Sequence, residues 1–340
     1  MKYAVTLLAV FFVSATAFAN VAAPGSDDNC DIKLAPAATL LLPYFEVNLS
    51  DPTGETTIFT VVNVARVPQI ARVTMWTDLA YPVLSFNLFL TGYDMQTINL
   101  FDVLARGRIG DPGTSSLVPA GRRSGANDEN PLLDDVQCAK PVDRIAPEVL
   151  GEIQAALTSG RTQSCKTARI GLTHARAIGY ITIDLVDNCG SSLPTDPGYF
   201  TAQMLFDNVL IGDYQQVNPT QNFAQGNAMV HIRAVPGGRA EGAGATPFRR
   251  TFYSRFQNGG NFDRRQPLPS TFAARWISGG PTAFQTTFKI WREGVTGATS
   301  GCAVSANATI TVSDIVRFDE DENATAIVNP AAASSVRRTP

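Results

Sequence analysis

Ile181-Thr182-Ile183-Asp184-Leu185 places an apolar side chain at every second position and a polar one between. Successive side chains of a strand point to opposite faces, so this stretch reads as a strand with one apolar and one polar face. The same period of two recurs where Phe86, Leu88 and Leu90 alternate with Ser85, Asn87 and Phe89. It recurs again where Ala308, Ile310 and Val312 alternate with Thr309, Thr311 and Ser313. Seven further runs are predicted strands: 56–64, 69–78, 95–100, 200–206, 228–234, 248–256 and 285–292. They are rich in Val, Ile, Thr and aromatic residues, which suit a pleated, half-buried surface.

Turn chemistry separates these runs, as at Asp51-Pro52-Thr53-Gly54, Asp196-Pro197-Gly198 and Asn258-Gly259-Gly260. Alternation between tight turns implies antiparallel sheets with one wet face, and two such sheets packed together make a sandwich. The expected fold is mostly β: antiparallel sandwich units, immunoglobulin-like or jelly-roll-like, with one helix of about three turns. The runs LLPYFEVNL (41–49), FTVVNVA (59–65) and VTMWTDLAYPVLSFNLFLTGY (73–93) suggest immunoglobulin-like strand pairs. The Cys…Trp…Cys spacing of true immunoglobulin domains is missing around Trp76.

The helix is expected over 147–159. Pro147 suits its first turn, Glu148 its positive end, and Gly160 its stop, while Val149, Leu150, Ile153 and Leu157 form the apolar stripe. The stretch 112–135 is polar and reads as a loop or linker. The organisation predicted from these signals is an N-terminal sandwich domain over 20–111, the linker, a second β-rich domain with the helix over 136–330, and a flexible tail over 331–340. No repeat of 20 to 50 residues suggests a solenoid or propeller.

Residues 1–19 read as an export signal. Lys2 precedes the short apolar run AVTLLAVFFV (4–13), and Ala17-Phe18-Ala19 is a small-x-small cleavage pattern that leaves Asn20 as the mature terminus. The run is shorter than the roughly 20 apolar residues of a membrane span, and no later stretch matches one. The expected destination is therefore a periplasm, a cell surface or the extracellular space, with no integral membrane segment after cleavage. An intracellular nucleic acid is not an expected partner.

An exported chain oxidises its cysteine pairs. Five cysteines, at 30, 138, 165, 189 and 302, allow fifteen connectivities of two bridges and one leftover thiol. Cys138 and Cys165 flank the helix and form the favoured bridge, with Cys165–Cys189 the rival. No C-x₂-C or C-x₂-H pair suggests zinc, and the two histidines, His174 and His231, are far apart in sequence.

The 340 residues are 44% hydrophobic and 17% charged, with a net charge of −3. Charge is distributed unevenly. Between His231 and Arg292, nine arginines and Lys289 face only Glu241 and Asp263, a local net charge of +8. Aromatic residues interleave with them. Arginine gives bidentate contacts to carboxylate, phosphate or sulfate and stacks on aromatic faces. Arg249, Arg250, Arg255, Arg264, Arg265 and Arg275, with Tyr253 and Trp276 as stacking platforms, are therefore candidates for binding an acidic polysaccharide or another surface polymer. The bland alternative is that the aromatics are core and the arginine stems cover them. Self-association is a further expectation. Asp319, Glu320, Asp321 and Glu322 form an acidic turn; Asp319, Asp321 and Glu322 are candidate Ca²⁺ ligands, although the spacing lacks the D-x-D-x-D-G pattern.

Enzyme motifs are scarce. The sequence has no G-x-S-x-G elbow, Walker loop, G-x-G-x-x-G after a strand, or H-E-x-x-H. Glycoside hydrolysis needs only two carboxylates flanking a sugar cleft, and Glu46, Asp102, Asp184, Asp187, Asp207 and Asp213 are available for it. The favoured expectation is a secreted, non-catalytic protein with a surface, adhesion or envelope-structural role. The alternative is a secreted carbohydrate-active enzyme using paired carboxylates.

Overall fold

The computed structural model describes residues 35–109, 145–163, 165, 169–188, 193, 194, 196, 198–234, 265, 288–291, 315–319, 321–327 and 336–339. Its first strands are β1 (Thr39–Val47), β2 (Thr56–Asn63), β3 (Gln69–Thr77), β4 (Pro82–Leu90) and β5 (Met95–Asn99). Two helices follow, α1 (Leu100–Leu104) and α2 (Pro147–Thr158). Then come β6 (Ala177–Val186), β7 (Leu210–Asn218), β8 (Phe223–Ala228) and β9 (Val230–Ile232). The remaining described strands are β10 (Phe288–Trp291), β11 (Ile315–Phe318), β12 (Ala324–Ile327) and β13 (Val336–Thr339).

Nine strands make two antiparallel sheets, one ordered β4-β3-β6-β1-β9 and the other β5-β2-β7-β8. Strand periodicity turns Leu42, Val73, Leu88 and Ile183 of the first sheet and Phe59 and Val61 of the second into one buried cluster. This shared layer makes the architecture a β-sandwich. Burying each such side chain stabilises the fold by about 1.5–3 kcal/mol.

The five-stranded sheet departs from the expected wet face. Leu41, Ile70, Trp76, Tyr180 and Val186, on its other side, form a second buried cluster with Tyr199, Phe200, Met204 and Phe206. The segment that covers them was expected to be a strand over 200–206. It is instead a π-helical turn, Tyr199–Gln203, that starts from Gly198 at φ +84°. The four-stranded sheet keeps the solvated face, where Asp213 and Gln215 are exposed.

The two-domain division is corrected by the pairing. β6, assigned to a second domain, lies between β3 and β1 of the first, and β7 pairs with β2. Strands on both sides of the 112–135 stretch thus complete one sandwich, and that stretch itself lies outside the described residues. The expected tail over 331–340 includes β13, which pairs antiparallel with β10.

The helix forms where its sequence predicts. Pro147 occupies the first turn, Glu148 lies in it, and Ile153, Ala156 and Leu157 are buried. Val149, expected in the stripe, is 51% exposed. Ser159 caps the helix and Gly160 follows at φ +67°, a left-handed position that favours glycine. A Cβ there would lie 1.9 Å from Gly171 O, so the close approach of two chain segments requires glycine as well. The helix packs on β6, β4 and α1 at one end of the sandwich.

Candidate functional site

A row of polar side chains crosses the buried outer face of the five-stranded sheet. Register sets Asn87 of β4 opposite Arg72 of β3, Arg72 opposite Asp184 of β6, and Asp184 opposite Thr39 of β1. The alternation that makes Ile183 and Leu185 core residues necessarily sends Asp184 to this other side. Arg72, Asp184 and Thr39 are each at most 1% exposed.

Among the described residues, three donors reach the Asp184 carboxylate. Thr39 Oγ1 donates to its Oδ1 at 2.6 Å, Arg265 Nη1 to the same oxygen at 3.0 Å, and Tyr199 Oη to its Oδ2 at 2.8 Å. Arg265 Nη1 also donates to Thr39 Oγ1 at 3.0 Å. The guanidinium sits 5.5 Å from the Phe200 ring centre, and Phe200 meets Tyr199 edge to face at 5.4 Å. Alongside, Trp76 stacks on Tyr180 and donates its indole N–H to Thr182 Oγ1 at 2.8 Å.

Electrostatics fix the roles in this layer. Burial pushes the Tyr199 phenol well above its ordinary pKa. The negative charge of Asp184 and the hydrogen bond to it push the same way, against Arg72 and Arg265. Tyr199 is therefore a permanent donor and not a base at neutral pH. Burial pulls the Arg72 guanidinium below its ordinary value, while Tyr199, Asp184 and Asp196 oppose that shift.

Arg265 is therefore not a surface ligand for polyanions. Its side chain is fully buried and ion-paired to Asp184, and its backbone bridges Ala234. A guanidinium buried in this way has its charge satisfied internally. The other polyanion candidates, Arg249, Arg250, Tyr253, Arg255, Arg264, Arg275 and Trp276, lie outside the described residues.

A second cluster closes the end of the sandwich where β1 turns into β2. Arg176 Nη1 donates to Glu46 Oε1 at 2.9 Å and also to Glu55 Oε2. Tyr44 Oη donates to the other oxygen of Glu46. Arg176 remains about one-third exposed, so this cluster, unlike the Asp184 network, reaches solvent. The other acids named for sugar chemistry are dispersed. Asp102 of α1 pairs with Arg106 just after it, Asp187 accepts from Asn188, and Asp207 and Asp213 are exposed.

The acidic turn joins β11 to β12. Asp319 Oδ1 accepts the backbone N–H groups of Asp321 and Asn323 at 3.0 and 2.8 Å, and Oδ2 accepts from Asn323 Nδ2 at 3.1 Å. The Asp319 carboxylate thus builds the turn, with Asp321 and Glu322 exposed beside it. Among the described residues no group of three His, Cys, Asp or Glu is placed to hold a metal ion, so the Ca²⁺ expectation finds no ligand set there.

Cys165 is 2% exposed and packs with Ala156 and Ile170 beneath the helix; its expected partner Cys138 lies outside the described residues. His174 Nε2 lies 2.7 Å from Asp78 Oδ2, and Asp78 Oδ1 accepts from Leu172 N at 2.9 Å, which ties the chain after the helix to β3. Arg72, Tyr199, Arg176 and Glu55 were not singled out from sequence. Only Arg72 carries a local signal there, a lone charge within an otherwise uncharged strand.

No family model, no curated protein and no solved structure matches this chain. No helix among the described residues is long and apolar enough to cross a membrane.

Proposed function

We propose that this chain is an exported, non-catalytic β-sandwich with a surface, adhesion or envelope-structural role, binding acidic polymers through its basic–aromatic segment 231–292. One observation carries the non-catalytic half of the reading. The most deeply buried constellation of ionisable side chains among the described residues, Arg72, Asp184, Tyr199 and Arg265, is turned to holding a sheet face against its covering chain. Export is supported by the signal-like residues 1–19, and an exported chain with five cysteines is expected to oxidise them in pairs. Polymer binding rests on the charge of +8 between His231 and Arg292, with Arg265 now removed from the ligand set.

The test is a glycan and polyanion array with the purified protein, run beside a hydrolase substrate panel. Binding to acidic polymers that weakens steeply with salt supports the reading, because neutralising a polyanion releases counterions. Arg264→Glu should flatten that salt slope in a folded protein, whereas Arg265→Glu should compromise folding. Undetectable affinity at low salt for every acidic polymer overturns the binding half.

The enzyme reading is favoured by one feature, the two carboxylates on Arg176. Groups sharing one nitrogen donor stand within about 6 Å of each other, near the separation of a retaining glycosidase pair. Sugar release that disappears in both Glu46→Gln and Glu55→Gln would establish it.

A further inference from the structure

β8 is an edge strand without the usual protection. All six residues, Phe223-Ala224-Gln225-Gly226-Asn227-Ala228, are exposed. On one side they pair with β7, and among the described residues no strand pairs with β8 on the other. Edge strands normally carry a charge, a proline or a bulge that blocks further pairing, and β8 has no charge, no proline and an unbroken register. Its hairpin is also held in place, since Thr220 donates from its backbone N and its Oγ1 to Thr53 O at 3.2 and 2.9 Å.

The phase of the ladder identifies the free groups. Met229 donates its backbone N–H to Gly212 O at 3.0 Å, one step beyond the Asp213–Ala228 pair. Hydrogen-bonded and non-bonded pairs alternate along an antiparallel ladder. Phe223, Gln225 and Asn227 therefore turn their backbone groups toward β7, and Ala224, Gly226 and Ala228 turn theirs outward. The three smallest residues of the strand thus carry the open edge. Asn227 stands opposite the buried Tyr214 in the ladder, so the odd-numbered residues share the core-side face.

We infer that β8 pairs antiparallel with β8 of a second copy of this chain about a two-fold axis at Gly226. In that register Gly226 meets its own copy, and Ala224 meets Ala228. Each of these pairs exchanges two backbone hydrogen bonds, and small side chains alone line their face. Gln225 meets Asn227 on the core-side face, setting amide beside amide. Charge does not oppose the approach. The nearest charged side chain on the neighbouring strand is Asp213, opposite Ala228, and the two copies of β7 stand three strand spacings apart. That is about 14 Å, beyond the screening length at physiological salt. The occupant is specified by chemistry, because an outward row of alternating N–H and C=O groups is satisfied by an extended backbone.

A six-residue edge is small beside the roughly 1,200–2,000 Å² of stable complexes, so the association is weak and reversible. Sedimentation of the full mature chain from about 1 µM to 1 mM spans the relevant affinities. The expected result is a reversible dimer that Gly226→Lys and Gly226→Glu each abolish and that an equimolar mixture of the two variants restores. A Cβ at Gly226 meets nothing closer than Gln215 Cγ at 3.6 Å, so both variants retain the fold. Ala224→Pro, which deletes one outward N–H without adding charge, should weaken the dimer too. A monomer across the whole range, a dimer surviving all three substitutions, or a mixture that stays monomeric overturns the inference.

Discussion

Arg265 and Asp184 meet at 3.0 Å with neither side chain exposed to solvent, across 81 residues of sequence. Removing one partner of such a pair leaves an uncompensated buried charge, at a cost of about 3–5 kcal/mol. Asp184→Leu and Arg265→Met should each lower the unfolding free energy read from urea denaturation by that amount. The double variant should lose clearly less than the sum, because it strands only Arg72, whereas each single variant also strands one member of the Arg265–Asp184 pair. Additive losses would mean that the two side chains act independently.

Tyr199 gives the network a signature in alkali. The folded protein keeps the phenol proton beyond pH 10, where the unfolded chain releases it. Its contribution to stability is therefore complete below about pH 10 and declines as pH rises further. An ultraviolet titration of phenolate should show at least one tyrosine ionising only together with unfolding. Tyr199→Phe should remove that step and cost about 1–3 kcal/mol at neutral pH, since Asp184 loses a donor.

Gly179 lies in β6 with β3 on one side and β1 on the other. A Cβ there would stand 2.2 Å from Trp76 O and 2.8 Å from Phe45 Cζ. One of those is backbone in the middle of the sheet, so the chain must shift to make room. Gly179→Ala should therefore cost about 1–3 kcal/mol or more by thermal unfolding, the usual range for overpacking a core. Gly226→Ala on the open edge should be close to neutral in the same measurement.

The Glu46–Arg176–Glu55 cluster predicts an asymmetry. Arg176→Met leaves two neighbouring carboxylates, one of them buried, without their shared cation. It should destabilise more at pH 7 than at pH 4, where protonation relieves the repulsion. Equal losses at the two pH values would show that the guanidinium stem alone matters here.

Strand positions were legible because side-chain period is local. The alternation at 85–90 and 181–185 lies within β4 and β6, and Pro147, Glu148 and Gly160 bracket α2 as their chemistry requires. Which strand pairs with which was not legible. β6 fits between β3 and β1 through contacts over 100 residues away in sequence, and nothing in 177–186 names those neighbours. The division into two domains failed for that reason. Arg265 was misassigned because a guanidinium in a basic run reads as solvated until its carboxylate is placed. Asp184 looked like an ordinary wet-face residue because the chain that covers it, Tyr199–Gln203, folds as a turn and not as the strand that its residue types suggest.

The place of β6 also governs the order in which this protein can assemble. A ribosome or a secretion channel delivers β1 to β5 first, yet β1 and β3 have no strand between them until residue 186 has emerged. Until then β1 lacks its longest ladder and β3 is paired on one side only, by β4, and closing the gap requires a loop of roughly a hundred residues, a slow event for a chain dominated by distant pairings. The inner edges of β1 and β3 therefore wait for a single ten-residue strand to join them into one sheet.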